Sequence, residues 1–270
     1  MCRWLAYGGP LLPLQDLLFK PRNSLIRQSI AATRSIVPTN GDGFGVGWYG
    51  EQAKPGIFRD TLPAWNDANL RSLAEQISSR LFFAHVRAST GTSTSRENCH
   101  PFRRGKFLFM HNGAIGGFHR IRRAIERLIP DDIYSDRIGT TDSEAFFLLA
   151  CANGLENDVP GALKRTVTQI LGVMDEAKVA EPFHMASAVS DGQSIYALRY
   201  SNDMRSPSLY YATGSTIEIH DAHVHFAPGE AAVLVLSEPL DEAKDGWIEI
   251  PEDHILQTVG GVTRIAKFDL

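Results

Sequence analysis

Two helix-forming stretches lie side by side in the middle of the chain, with strand signals on both flanks. The first is the apolar run at residues 145–152, preceded by the capping side chains Thr140, Thr141 and Asp142 and closed by Asn153-Gly154. Pro160 opens the second, which runs to about residue 178. Ahead of this pair, strands are predicted at residues 2–7, 43–49, 81–87 and 107–111, with helices at 25–37, ending at Pro38, and 70–79. Behind it, strands are predicted at 185–189, 194–200, 209–213, 231–236 and 262–268. Strands, a central helical pair, then more strands favour an α+β or layered sandwich over a regular βαβ repeat. No repeat, low-complexity tract or Pro/Ser-rich linker divides residues 1–270, so a single domain is expected.

Charge and composition remove whole classes of function. With 27 basic and 31 acidic residues the net charge is -4, which gives no electrostatic footprint for nucleic acid or an anionic membrane. The longest apolar run falls far short of the roughly 20 residues that cross a bilayer. The N-terminus lacks the basic start and apolar stretch of a secretory signal. Cys2, Cys99 and Cys151 cannot all pair and none sits in a CxxC, which fits a reduced, cytoplasmic protein.

Several short motifs carry chemistry, each with a plainer reading beside it. Gly45-Val46-Gly47-Trp48-Tyr49-Gly50 matches GxGxxG, but Trp48 and Tyr49 continue a strand where a dinucleotide site needs a helix. Its glycines are better read as allowing close packing on that strand. His220, His223 and His225 cluster without a Cys, Asp or Glu pattern to complete a metal site. Cys2 is more informative. Removal of Met1 would place a free amine (pKa about 7.7–8.0) and a thiol (about 8.5) on one residue, a base and a nucleophile together.

Three elements downstream of Cys2 supply partners for that unit. Ala84-His85-Val86-Arg87-Ala88 ends an apolar strand in an arginine whose fork suits a carboxylate, or a structural ion pair. His111-Asn112-Gly113 offers a side-chain amide and a backbone N–H to a developing oxyanion, or simply an Asn-Gly turn. In Thr140-Thr141-Asp142-Ser143-Glu144, Asp142 can hold an ammonium group or cap a helix. The small, polar stretch at residues 89–95 directly after Arg87 is read as a lid ordered by substrate.

Cys2, His85-Val86-Arg87, Asn98-Cys99-His100-Pro101-Phe102, His111-Asn112-Gly113 and Thr141-Asp142-Ser143-Glu144 occur in one order. Together they resemble the glutaminase domain of the class-II glutamine amidotransferases, which are N-terminal-nucleophile hydrolases. Asn40-Gly41-Asp42-Gly43-Phe44-Gly45 resembles that family too, as does Leu236-Ser237-Glu238-Pro239-Leu240 followed by Trp247 in its stand-alone members. The resemblance implies a four-layered αββα sandwich and hydrolysis of a γ-glutamyl amide without metal or cofactor. It makes Cys2 the nucleophile, its own amine the general base, and Asn112 with the Gly113 amide the oxyanion hole. Arg87 becomes the α-carboxylate binder and Asp142 the α-ammonium binder.

The family-like region uses nearly all of the chain, so any ammonia acceptor is expected on a separate synthase or peptidase partner chain. The likeness is greatest to the small branch that includes γ-glutamyl hydrolases of thiol-compound pathways such as ergothioneine biosynthesis, and partners in glutathione breakdown. Ala88 stands where several synthase-linked members have Trp, a difference beside the carboxylate site. Two other readings remain: a glutaminase subunit delivering ammonia to a synthase, and a non-catalytic subunit that binds γ-glutamyl ligands.

Overall fold

The strands assemble into two antiparallel sheets in a computed structural model, which describes residues 2–33, 38–89, 91–229, 231–242 and 246–270. The chain starts with β1 (Arg3–Pro13), α1 (Leu14–Leu18), α2 (Leu25–Ile30), β2 (Phe44–Trp48) and β3 (Gly56–Asp60). Then come α3 (Ala68–Gln76), β4 (Ser78–Val86), β5 (Phe102–Arg104) and β6 (Phe107–Ala114). Four helices follow: α4 (Phe118–Glu126), α5 (Asp131–Tyr134), α6 (Asp142–Ala152) and α7 (Val159–Glu176). The remainder is β7 (His184–Ser190), β8 (Ile195–Ser201), β9 (Tyr210–Gly214), β10 (Ile217–His220) and β11 (His223–Phe226). β12 (Ala232–Leu236), β13 (Ile248–Glu249), β14 (His254–Val259) and β15 (Val262–Lys267) complete it.

One sheet has seven strands in the order β13-β9-β12-β1-β4-β2-β3, the other six in the order β15-β14-β8-β7-β6-β5. β10 and β11 form a separate hairpin. Alternation along each strand divides its side chains between two cores. In β1, Leu5 and Tyr7 meet α1–α3, whereas Trp4 and Ala6 face the opposite sheet. In β6, Phe107 and Phe109 pack under α4–α7, whereas Leu108 and Met110 enter the space between the sheets. With both faces covered, central strands read as unbroken apolar runs; all five residues of β12 are buried. Three stacked cores make four layers, and the fold is the expected αββα sandwich.

Two local expectations are corrected. The helix expected over residues 25–37 stops at Ile30, and residues 34–37 lie outside those described. The chain leaves the helix at Ala31 because the Thr33 N–H and hydroxyl both bond the buried Glu238 carboxylate, at 3.1 and 2.6 Å. Asn112-Gly113 is not a turn: both residues lie inside β6, opposite Ala186 and Met185 of β7. The glycine-interleaved strand behaves as read, since a Cβ on Gly45 would strike the His100 carbonyl and one on Gly47 would sit 2.8 Å from Pro101.

Candidate active site

Cys2 immediately precedes β1, the central strand of the larger sheet, whose register sets Arg3 opposite Val86 of β4. That pairing brings Cys2 to the end of β4. The Ala88 N–H lies 3.5 Å from the Cys2 sulfur, and the thiol lies 3.6 Å from the Ala88 carbonyl. Burial pushes the thiol pKa up, while the Ala88 backbone and the positive charges of Arg87 and Arg3 pull it down.

Arg87 is buried, and every hydrogen-bond partner of its guanidinium among the described residues is neutral. It donates to the Asp42 carbonyl (3.3 Å), the Ser89 hydroxyl (3.2 Å), the Thr92 hydroxyl (2.7 Å) and the Ser93 carbonyl (3.3 Å). The segment read as a lid therefore wraps this side chain, with Thr90 outside the described residues. Asn98 braces the wrap by donating to the Ser93 carbonyl (2.9 Å) while its own carbonyl accepts from the Thr140 N–H (2.8 Å). The arginine loop is thereby fastened to the approach to α6.

Asn112 and Gly113 lie on β6 of the smaller sheet. Asn112 is 1% exposed, and its side-chain nitrogen has no hydrogen-bond partner among the described residues. Gly113 has φ +147°, and a Cβ there would collide with the His184 carbonyl, so the close approach of β6 and β7 requires glycine. The Trp4 ring N–H donates across the sandwich to the carbonyl of Ala186 (3.2 Å), the residue opposite Asn112. This bond ties the strand that follows Cys2 to the strand beside Asn112.

Asp142 is the first residue of α6, but Thr141 caps the helix by accepting from the Glu144 N–H at 3.2 Å. The Asp142 carboxylate instead accepts from the Ile115 N–H (2.9 Å) just beyond β6 and from the Ser143 N–H (2.8 Å). His111 adds a second tie: its Nδ1 meets the Ser143 hydroxyl at 2.8 Å and its Nε2 the His184 carbonyl at 3.2 Å. The carbonyl can only accept, so Nε2 carries the proton and Nδ1 accepts from Ser143. A cavity of about 580 Å³ borders Gly113 and Asp142 and extends past Thr92, Phe118, Glu181 and His184.

Other cysteines and histidines play different parts. Cys99 is buried between the Asp60 and Ser95 carbonyls, and burial pushes its thiol up to about 11. The rings of His85 and His100 lie 4.3 Å apart, and burial takes His85 down to about 3 and His100 well below the usual range. His220 bonds Glu218 (2.8 Å), and His223 lies 3.8 Å from Asp241. Among the described residues no three His, Cys, Asp or Glu side chains are grouped to hold a metal ion. No described helix is long and apolar enough to cross a membrane.

The profile of the family described as glutamine amidotransferases class-II matches residues 24–268. The chain belongs to this family. It is 35% identical to the probable glutamine amidotransferase DUG3 of Saccharomyces cerevisiae over 95% of this chain and 81% of that one. It is 27% identical to the γ-glutamyl-hercynylcysteine sulfoxide hydrolase of Mycolicibacterium smegmatis over 95% of each. A class-II glutamine amidotransferase domain protein from Silicibacter pomeroyi superposes with TM-score 0.75 at 34% identity, covering 99% of this chain and 100% of that one. The phosphoribosylpyrophosphate amidotransferase of Bacillus subtilis shares the fold at 14% identity and TM-score 0.65, with 99% of this chain covering 49% of it. This class-II amidotransferase is an enzyme of that type, with the N-terminal-nucleophile fold.

Reading the amidotransferase from its sequence left several structural partners without roles. Asp42 accepts from the Ser89 N–H at 2.7 Å, Asn98 holds the arginine loop, and Glu238 reaches back towards the N-terminus through Arg3. Asp42, Asn98 and Glu238 stand inside the resembling motifs, which is the signal that could have singled them out. For Arg3 the signal is a charge on a strand whose neighbours Trp4, Leu5 and Ala6 are all apolar and fully buried.

Proposed function

We propose that residues 1–270 form one glutaminase-type domain that hydrolyses a γ-glutamyl amide through a thioester on Cys2. The observation that carries this reading is the Asn112 side-chain N–H, buried without a partner beside the Gly113 amide. A buried unsatisfied donor costs about 1–3 kcal/mol, and an oxyanion that develops during reaction gives it a partner at the moment of need.

In the proposed reaction Arg87 binds the α-carboxylate and Asp142 the α-ammonium of the γ-glutamyl group. Holding both charges fixes the γ-carbonyl for attack. Removal of Met1 frees the Cys2 amine, which takes the thiol proton as the sulfur adds to the carbonyl. Asn112 and Gly113 donate to the oxyanion. The amine then returns the proton to the leaving nitrogen, and water hydrolyses the thioester to glutamate and free thiol. The chain's own residues supply every group this sequence uses.

The cavity bordering Gly113 and Asp142 is where the γ-glutamyl group would sit, and the leaving nitrogen is ammonia or that of a γ-glutamyl amine or peptide. Ammonia delivery to a partner synthase or peptidase chain is the alternative, and a partner that raises turnover of glutamine itself would favour it. We assign the protein to the cytoplasm because a thiol nucleophile must stay reduced. The test is intact mass followed by 6-diazo-5-oxonorleucine. Loss of Met1 and a single adduct mapped to Cys2 are expected; a processed chain without an adduct overturns the nucleophile assignment.

A further inference from the structure

We propose that the buried Arg3–Glu238 ion pair is a positioning device that sets the protonation of the Cys2 amine and thiol. The proposal rests on the reading of Cys2 as the nucleophile and its own amine as the base. Both side chains are 1% exposed, with Arg3 Nε 3.3 Å from a Glu238 carboxylate oxygen. The Arg3 guanidinium also turns back to donate to the Cys2 carbonyl at 2.8 Å. The carbonyl of the nucleophilic residue is thus held by a cation, one residue from the reacting sulfur and amine.

Glu238 is itself anchored. Its second carboxylate oxygen accepts from the Asn23 side chain (3.1 Å) and from the Thr33 N–H (3.1 Å) and hydroxyl (2.6 Å). Its backbone carbonyl accepts from the Gln28 side chain (3.1 Å). Next to it, Ser237 bonds both ways with Trp4, N–H to Trp4 carbonyl at 3.0 Å and hydroxyl from Trp4 N–H at 3.2 Å. The chain bends out of α2 at Ala31 to supply the Thr33 bonds. Stability alone is a weak reason for such a pair, because buried ion pairs are often replaceable by apolar residues without loss.

Charge explains it better. A fixed cation favours the neutral amine and the ionised thiol, the forms in which one can act as base and the other as nucleophile. Among the described residues, the other charged or titratable groups around Cys2 are Arg87 at the end of β4, the Cys99 thiol, and Asp42, whose carboxylate is occupied by the Ser89 N–H. Glu238 partly offsets Arg3, so the pair sets both position and field strength. Burial pulls the Arg3 pKa down and the Glu238 carboxylate pushes it back up, keeping the cation charged.

The test reads pH dependence, which packing alone would not move in opposite directions. Rates of Cys2 alkylation by iodoacetamide, and of γ-glutamyl-p-nitroanilide hydrolysis, are measured against pH in the full-length processed enzyme. Glu238→Gln keeps a hydrogen-bonding side chain but removes the acid that offsets part of the Arg3 charge, so the acid limb is expected about one pH unit lower. Arg3→Met removes the cation beside Cys2 and keeps Glu238, so the limb is expected about one unit higher. Arg3→Lys, which restores charge without the fork, should return the limb while kcat stays low. Displacement of both single variants in the same direction, or no displacement, overturns the proposal, and alkylation reads this even where turnover is lost. An unreactive Cys2 in the processed wild-type enzyme would instead sink the nucleophile assignment on which the proposal rests.

Discussion

Arg87 and Arg137 both bury their side chains and do opposite things with their charge. Arg137, 3% exposed in its side chain, is saturated by acids: Glu126 at 2.6 Å and Glu144 at 3.1 Å, with the Thr141 carbonyl at 3.1 Å. Arg87, a buried residue, meets only hydroxyls and carbonyls among the described residues. Neutral dipoles orient a guanidinium without neutralising it, so Arg87 keeps its attraction for an anion while Arg137 has spent its own. Arg137 is therefore a brace that ties α4 and the turn before α6 together. Arg87 is a site. Both side chains are buried and of one type, and it is the charge of the surroundings that differs.

The largest effect expected is that of Cys2→Ala. Turnover should fall by at least about 10⁴-fold, because the covalent route is gone. Glutamate binding, measured by calorimetry, should survive, since Arg87 and Asp142 remain; full activity would refute the mechanism. The next pair tests the two arginines directly. Arg87→Met should lower kcat/KM by about 10²–10⁴-fold through loss of charged hydrogen bonds, with a stability loss of only about 1–2 kcal/mol. Arg137→Met takes a buried cation from Glu126 and Glu144, which keep Arg122 and the Ile138 and Gly139 N–H groups respectively, and should cost about 2–3 kcal/mol of unfolding free energy in urea titration, with KM nearly unchanged. An exchange of those two outcomes would destroy the distinction between brace and site.

Asn112→Ala carries the same logic to an unpaired donor. Removing an oxyanion donor should lower kcat by about 10²–10³-fold and leave KM close to wild type. A rise in KM with unchanged kcat would make Asn112 a binding group instead. His85, His100 and His111 are buried, and desolvation depresses all three. Below about 6.5 the unfolded chain takes up protons that the folded chain refuses. Stability present above that pH is therefore lost as pH falls, by at most about 1.4 kcal/mol per unit for each ring. Urea titrations at descending pH should show this slope, reduced in His85→Phe; a flat profile would contradict neutral burial.

The architecture was legible because strand and helix signals around residues 145–178 admit few layered arrangements, and the chemistry because the motifs recur in one order. Asp142 was legible as an acid at a helix start, but only the coordinates show Thr141 taking the cap. The partners were harder. Arg3 and Glu238 are separated by 235 positions and meet because β1 and β12 are neighbours, with Leu5 opposite Leu236. Helical spacing past Ile30 gave no hint that Thr33 would be claimed by a carboxylate so far along the chain. A tertiary demand of that kind leaves no periodic trace, whereas a residue's own chemistry does.

The smallest expected effect concerns the loop that keeps Arg87 in place. Three acceptors, the Ser89 and Thr92 hydroxyls and the Ser93 carbonyl, crowd one guanidinium nitrogen, which has only two hydrogens to give. Thr92→Val removes the shortest of these bonds yet leaves acceptors for both hydrogens, so Arg87 should stay oriented while the loop loses a tether. KM is expected to rise about threefold to tenfold, the worth of one net hydrogen bond, with kcat unchanged. Residues 89–95 should also become easier to cleave by protease, and a γ-glutamyl ligand should restore their protection if the loop acts as a lid. Protection that is the same with and without ligand in both proteins would make the loop a fixed support for Arg87, which, unlike the acids around Arg137, orients a cation without cancelling its charge.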